Sequence, residues 1–428
     1  MKIKKESLPL FYGLSHIGQV FSILWSNKIS SCSVFEDNKK LYRQFKKKKF
    51  SDEEPTLKQA FLKKKYKIHL IKNKNFISQY SLIFFSIDTP LDINGKPLVK
   101  IIENQLSKLI SLSGINTKII FLSQVYPGFL EKFYKKNKEI IKKNIQIIYM
   151  VDTLVMGDAL NKFLKPKQLI FGISNQNNIL YLKNLFKDFK CQKFFFNVTE
   201  AEIIKMSINL YLAFSVNFAN VMDSFCNEFG FSFSKIINPL RNDNRIGTKA
   251  YIQPSLGLSG GHLERDMHYI KNSTKKKIIK KVFSSFEDLN IQRKRILINV
   301  IKKINHKKNI KILILGISYK ENSFSVVNSI FSELFKNKIK IEVFDTSFKL
   351  TSNKLYNVSN NLKKSLSNNY FYIFNYLDEY NKGLLINYLK NYPSKYLINI
   401  NNKEISVFCK IKNCINIFET PIKNGNRN

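Results

Sequence analysis

Tyr12-Gly13-Leu14-Ser15-His16-Ile17-Gly18 follows a short apolar run and precedes a helical pattern, an arrangement able to cradle a pyrophosphate. Such a fingerprint needs glycine at the tight turn, where the main chain meets the phosphates, and where the helix packs on the strand. Gly13 and Gly18 satisfy the first and third needs, while Ser15 stands at the second and narrows the gap with a Cβ and a hydroxyl. Glu36 follows Gly18 by eighteen residues at a strand end, where an acid takes a ribose 2′-hydroxyl and favours NAD over NADP. Pro9 is an irregularity inside the run Leu8–Tyr12, because it removes a ladder donor. Taken alone, the same pattern also describes an ordinary strand–turn–helix.

The elements around this turn read as α/β. Leu8–Tyr12, Ser81–Ile87, Lys118–Leu122 and Ile145–Met150 are short, apolar and bounded by polar turns, as buried strands are. Lysine-rich stretches between them, Lys39–Lys49 and Lys132–Lys143, read as solvated helix faces or loops, and the alternation implies a parallel sheet. Thr199-Glu200-Ala201-Glu202 has the form of a helix start with Thr199 as N-cap. One helix of more than twenty residues then runs to Phe229, with apolar positions on more than one face, which suggests dimerisation. A Gly-rich stretch, Pro254–Gly261, precedes further helical sequence to about Asn305. Lys311–Gly316 then opens a second strand–Gly–helix unit whose next strand, Ile339–Phe344, ends at Asp345; later strands are expected at Tyr370–Phe374 and Tyr396–Ile400. The expected architecture is α/β, with two Rossmann-like domains joined by a central helical domain containing one long helix. The boundaries fall at residues 1–197, 198–305 and 306–428.

Composition narrows the function classes. A chain of 428 residues with 44% apolar side chains can build two or three cored domains, which excludes wholesale disorder. The net charge of +40 would ordinarily point to nucleic acid, yet only seven of the 71 basic residues are Arg, whose planar fork suits phosphate and base recognition. Lys, Asn, Ile, Phe and Tyr all have AT-rich codons, so coding bias accounts for the excess and no specific nucleic-acid partner is expected. Five scattered Cys (Cys32, Cys191, Cys226, Cys409, Cys414) without C-x-x-C spacing argue for reduced thiols and against a metal site. The charged N-terminus lacks an apolar signal segment, and no run approaches the length of a membrane span, so a cytoplasmic location is expected.

Eight further segments, in order, resemble the nucleotide-sugar dehydrogenase family, the UDP-glucose and GDP-mannose dehydrogenases. Glu54-Pro55-Thr56-Leu57 is similar to E-P-G-L, Asp88-Thr89-Pro90 to G-T-P, and Ser123–Gly128 to S-T-V-P-P-G. Val151–Ala159, followed by Phe163–Pro166, resembles P-E-F-L-x-E-G-x-A, with Asp152 at the Glu. Ala201–Lys205 with Asn209 matches A-E-x-x-K-x-x-x-N, and Asp243–Gly247 matches D-x-R-I-G. Pro254–Asp266 tracks P-G-x-G-x-G-G-S-C-x-x-K-D, and Gly316–Lys320 resembles G-L-A-F-K. The likeness spans about residues 8–402. It implies NAD as cofactor, held by Gly13, Ser15, His16, Ile17, Gly18, Glu36, Thr89, Pro90 and Gln124. It implies oxidation of a sugar C6 alcohol in two hydride transfers, with the aldehyde trapped by a Cys and the thioester hydrolysed. Lys205 and Asn209 are then expected to hold the developing oxyanion, and Asp266 to position a water or proton carrier. Arg245 would reach the sugar bound to a neighbouring subunit, Lys320 the substrate nucleotide, while Gly257, Gly260 and Gly261 form turns near the sugar.

The departures fall where the second oxidation needs chemistry. His262 occupies the nucleophilic Cys position, Asp152 is one methylene shorter than the family Glu, Gln124 replaces a Thr, and Val327 stands where the family has a substrate-gripping Arg. Imidazole cannot form the oxidisable thiohemiacetal that a thiolate forms. His262 is either a general base, with a pKa near working pH, or a hydrogen-bonded residue left after catalysis lapsed. Asp266 can equally be a helix N-cap. Two functions follow: an NAD-dependent oxidoreductase limited to one reversible hydride step on a nucleotide-activated sugar, or a non-catalytic relative that binds nucleotide or partner subunits.

Overall fold

Apolar side chains alternate along Leu10–Tyr12, so that Leu10 and Tyr12 enter one core layer and Phe11 the other. This two-sided burial is the mark of a parallel sheet covered on both faces by helices. The computed structural model describes residues 8–50, 54, 56–90, 92, 97–154, 158–258, 262–304, 311–317, 331, 334–335, 339–346, 352–368, 371–401, 405–408 and 410–418. Two compact units divide the chain, Met1–Ile208 and Asn209–Asn428.

The first unit holds an eight-stranded sheet. Its strands are β1 (Leu10–Tyr12), β2 (Cys32–Phe35), β3 (Ile68–Ile71), β4 (Leu82–Phe85), β5 (Lys118–Phe121), β6 (Gln146–Met150), β7 (Gln168–Gly172) and β8 (Gln192–Phe196). They lie in the order β3-β2-β1-β4-β5-β6-β7-β8. The first six form the order of a dinucleotide-binding sheet, which reverses direction beside β1 and leaves a crevice at the strand C-termini. The helices of this unit are α1 (His16–Lys28), α2 (Lys39–Lys46), α3 (Leu57–Leu62), α4 (Val99–Leu112), α5 (Phe129–Lys136), α6 (Lys138–Lys142), α7 (Ala159–Leu164) and α8 (Asn178–Leu185). On one face Val20, Leu24 and Trp25 of α1 pack with Phe11, Val34 and Phe84; on the other Leu106 of α4 packs with Tyr12, Ile83 and Phe85.

The structure corrects three local expectations. The sheet is not wholly parallel, since β7 runs antiparallel to β6 through Tyr149↔Gly172 and Met150↔Phe171. Pro9 lies just before β1 and contributes only its carbonyl, which accepts from Ser33 N–H, so the ladder loses no donor. The long helix α9 spans Val198–Glu228, and its N-cap is Asn197 in place of Thr199. Asn197 Oδ1 accepts from the Glu200 amide at 2.8 Å, and Glu200 Oε2 accepts from the Asn197 amide at 2.9 Å. That reciprocal box satisfies two helix-start donors, while Thr199 is already inside the helix.

The second unit contains the rest of α9, α10 (Ile237–Asn242), α11 (His262–Ser273), α12 (Lys277–Ile304) and a wholly parallel six-stranded sheet. Its strands are β9 (Lys311–Leu315), β10 (Lys340–Phe344), β11 (Asn357–Ser359), β12 (Phe371–Phe374), β13 (Tyr396–Asn399) and β14 (Cys414–Asn416). The order β11-β10-β9-β12-β13-β14 repeats the six-strand pattern of the first sheet. Ile312 and Ile314 face one core layer, and Leu313 and Leu315 the other.

A buried ion pair fixes the helical part of this unit. Arg293 on α12 donates from Nη2 to Asp223 Oδ2 on α9 at 2.9 Å, and from Nε to the Ser255 carbonyl at 2.9 Å. Both side chains are almost wholly buried. Removing one partner leaves an uncompensated charge, so Asp223→Ala is expected to cost about 3–5 kcal/mol, read as a fall in the urea midpoint. Loss of less than about 1 kcal/mol would contradict this account.

Candidate functional site

At the end of β1 the chain turns through Gly13 with φ +103°, a conformation L side chains rarely adopt. Gly18 packs so closely that a Cβ there would lie 2.1 Å from the Gly13 carbonyl oxygen. Both glycines are therefore obligatory for bringing α1 against the strand. The Gly13 amide donates to the Phe35 carbonyl at 2.9 Å. Glu36, immediately after β2, accepts from the Leu14 amide at 2.6 Å through Oε2 and from the Asn38 amide at 2.7 Å through Oε1. Burial pushes the Glu36 carboxyl pKa up, against the opposing pull of those amides. Through these two bonds the carboxylate shapes the turn after β1.

Ser15 fills the close-approach position in a specific way. Its hydroxyl donates to the Ser86 carbonyl at 3.0 Å and accepts from the Asp88 amide at 2.9 Å. Asp88 Oδ2 accepts from the Ile17 amide at 3.3 Å, in the first turn of α1. His16 Nε2 lies 3.4 Å from Oε1 of buried Glu54, whose Oε2 accepts from the Ala159 amide at 3.4 Å. Thr89 Oγ1 donates to the Gln124 carbonyl at 2.5 Å, joining two residues expected at the cofactor, and Pro90 accepts from the Leu98 amide at 2.8 Å. The glycine cradle, the acid after β2 and the Thr89–Gln124 rim fit a dinucleotide.

Lys205 and Asp152 come together in the first unit. The Lys205 ammonium donates to the Asp152 carbonyl at 2.6 Å and lies 3.9 Å from its carboxylate Oδ2. Asp152 Oδ1 accepts from the Leu154 amide at 2.9 Å, closing an Asx turn that presents the carbonyl to the lysine. An ammonium has three donors, so this arrangement orients Lys205 while leaving it able to bind an oxygen of a substrate. In the second unit, Asn209 Nδ2 donates to Asp266 Oδ2 at 2.8 Å, and Arg265 Nε to Asp266 Oδ1 at 3.2 Å. All three are buried, and Asp266 sits in the second turn of α11, which excludes the N-cap reading. His262, the first residue of α11, is exposed.

The loop before α11 is held by polar side chains from two helices. Asn220 Oδ1 accepts from the Ser255 amide at 2.7 Å, and Asn290 Oδ1 accepts from the Leu258 amide at 3.1 Å. Gly257 has φ +119°, and a Cβ there would lie 3.2 Å from Asn290 Oδ1. Arg245 is exposed and forms a two-point pair with Asp243, Nε to Oδ1 at 3.0 Å and Nη2 to Oδ2 at 2.7 Å. Gly260, Gly261, Lys320 and Val327 lie outside the described residues.

Two residues escaped the sequence reading of roles. Asp88 is one; Glu202 is the other, although its motif, Ala201-Glu202-x-x-Lys205, was recognised. Glu202 accepts from the amides of Gly128 at 2.5 Å and Leu130 at 3.1 Å, so it caps α5 and ties the Gln124–Gly128 turn to α9 one turn before Lys205. A capping oxygen at an S/T/N-x-x-E spacing was the available signal, but that spacing occurs twice in Asn197–Glu202.

Among the described residues no group of His, Cys, Asp and Glu is arranged to hold a metal, and no helix is long and apolar enough to cross a membrane. The family model for the UDP-glucose/GDP-mannose dehydrogenase NAD-binding domain matches residues 10–190, and that for the central domain of the same family matches residues 199–292. YtcA of Bacillus subtilis is 24% identical over 60% of this chain, and the match spans 61% of that relative. A UDP-glucose 6-dehydrogenase of Campylobacter jejuni is 26% identical over 76% of this chain and 81% of its own. Among solved structures, a UDP-glucose dehydrogenase of Pyrobaculum islandicum superposes with a TM-score of 0.79 at 15% identity, covering 98% of this chain and 100% of that one. The UDP-N-acetyl-mannosamine dehydrogenase of Staphylococcus aureus gives 0.71 at 17% identity, covering 92% and 95%. These superpositions establish the fold that the motifs implied.

Burial pushes the Glu202 carboxyl up to about 7, beyond the opposing pull of its backbone donors. A raised folded-state value makes the folded chain bind more protons than the unfolded chain between roughly pH 4.3 and 7. Its contribution to stability is thus present in full below that window and is lost as pH rises through about 7. Urea unfolding at pH 5 and pH 8 is expected to show wild type losing up to about 3 kcal/mol relative to Glu202→Gln across that interval. Parallel pH profiles for the two proteins would refute it.

Proposed function

The chain belongs to the UDP-glucose/GDP-mannose dehydrogenase family, and from that premise we propose that it is an NAD-dependent oxidoreductase of a nucleotide-activated sugar, carrying one reversible hydride step and lacking the Cys-thioester second oxidation. The observation that carries this reading is the intact Lys205–Asp152 pair in a chain whose nucleophilic position holds His262. When bound, the nicotinamide accepts the hydride leaving the sugar carbon. Gly13, Ser15 and Gly18 would cradle the cofactor, Glu36 would hold its ribose, and Thr89, Pro90 and Gln124 would complete its binding site. Lys205, oriented by the Asp152 carbonyl, binds the sugar oxygen and stabilises the negative charge it acquires as its proton leaves. Asp266, fixed by Asn209 and Arg265, belongs to a buried polar set that positions the substrate or a proton carrier. The hydroxyl proton passes to a base, for which His262 at the start of α11 is our candidate.

The substrate partner is a nucleotide sugar, with surface polysaccharide or glycan precursors in the cytoplasm as the setting. Domain boundaries at residues 197 and 305 fit this division of labour: cofactor, pairing helix, substrate nucleotide. Lys320 would hold that nucleotide, and Arg245, Gly257, Gly260 and Gly261 the sugar.

Purified protein given NAD and a panel of UDP- and GDP-sugars is expected to produce NADH absorbance with at least one. Lys205→Ala is expected to lower kcat by about 100-fold or more, as loss of an oxyanion donor does. The rival reading, a catalytically lapsed nucleotide binder, draws on exposed His262 and on Ser15 in the phosphate turn; calorimetric NAD binding without turnover of any sugar would select it.

We also propose that the chain is a homodimer. Tyr211, Phe214, Phe218, Val221, Phe225 and Phe229 follow one another at three- and four-residue spacing on and just past α9, each between 41% and 71% exposed. So long an apolar stripe is characteristic of an interface. Analytical ultracentrifugation is expected to give a dimer for wild type and a folded monomer for the double variant Phe218→Glu, Phe225→Glu. A monomeric wild type at micromolar concentration would remove the proposal.

A further inference from the structure

The N-terminal amides of α1 are the natural seat of the cofactor's pyrophosphate, since unpaired amides and the helix dipole favour an anion there. In this chain one of those amides is already taken. Ile17 N–H donates to Asp88 Oδ2 at 3.3 Å. Asp88 is not casually placed: its own amide donates to Ser15 Oγ at 2.9 Å, and the Ser15 hydroxyl donates to the Ser86 carbonyl at 3.0 Å. The Ser86 hydroxyl in turn donates to the Gly13 carbonyl at 2.9 Å. This chain of bonds links the turn after β1 to the segment after β4 and fixes the carboxylate on the helix start. Both participants are departures from the resembled motifs, which carry glycine at the positions of Ser15 and Asp88.

We propose that Asp88 is a built-in competitor for the cofactor's pyrophosphate and sets the affinity for NAD. It rests on the cofactor reading above. Two anions cannot share one amide donor, so seating the diphosphate requires the Asp88 carboxylate to leave Ile17, and the bound state keeps it nearby as a like charge. Ser15 holds the main chain of Asp88 in place, so the carboxylate can turn away from Ile17 while its backbone anchor stays bonded to the Ser15 hydroxyl.

The test is calorimetric titration of NAD into wild type, Asp88→Asn and Asp88→Gly, each checked for folding by circular dichroism. Asparagine retains an acceptor for the Ile17 amide without the charge, and glycine restores the residue of the motif. Both variants are expected to bind NAD about tenfold more tightly than wild type. Equal or weaker binding by the variants overturns the proposal and leaves the cofactor reading standing. Tighter binding by the glycine variant alone also overturns it, since bulk and not charge would then be the obstacle. Failure of all three proteins to bind NAD removes the cofactor reading, and the proposal with it.

Discussion

Each sheet depends on one tie between a glycine turn and the acid that ends the neighbouring strand. In the first sheet the amides of Gly13 and Leu14 donate to the Phe35 carbonyl and the Glu36 carboxylate. In the second, Gly316 N–H donates to the Phe344 carbonyl and Ile317 N–H to Asp345 Oδ2, at 2.9 and 2.8 Å. The turn must rise with positive φ at the glycine, and its exposed amides need an acceptor that water would supply poorly so near the core. One carboxylate meets that need, fixes the turn and still presents an oxygen to whatever binds above it. The neighbouring elements build on the result: α1 starts there, and Ser86 and Asp88, in the segment following β4, bond to it.

Much of this was legible because two periodicities are strong in the chain. Short β-branched and aromatic runs marked β1, β4, β5 and β6 to within two residues, and apolar spacing of three and four marked α9. What was illegible depended on neighbours in space. β3, Ile68–Ile71, lies half-exposed at a sheet edge and so has no continuous apolar run, and the reversed direction of β7 leaves no local trace. The start of α9 is instructive: Asn197-x-x-Glu200 and Thr199-x-x-Glu202 both have capping-box spacing. Glu202 is committed to the amides of Gly128 and Leu130, which leaves the box to the other pair.

The site was legible by pairs and not by roles. Family resemblance pointed to Lys205, Asp152, Asn209 and Asp266, and the fold joins them as Lys205 with Asp152 and Asn209 with Asp266. Asp152, a residue shorter than the motif's Glu, works through its main-chain carbonyl as much as its side chain, a contact no sequence pattern encodes. Arg265 stands where the motif has Lys; its guanidinium meets Asp266 inside the protein, as suits a weakly hydrated fork. Asp88 was invisible for a different reason: an acid in place of glycine reads as drift until its carboxylate is seen on the helix start.

The separation between Gly18 and Gly13 reaches beyond the folded chain to the gene that encodes it. All glycine codons begin with two guanines, and every single-base change at those two positions replaces glycine with a residue bearing a Cβ or ends the chain. At Gly18 that atom would lie 2.1 Å from a carbonyl oxygen, inside any tolerable contact. Any such replacement at Gly18 therefore meets a steric barrier, whatever base composition the gene favours.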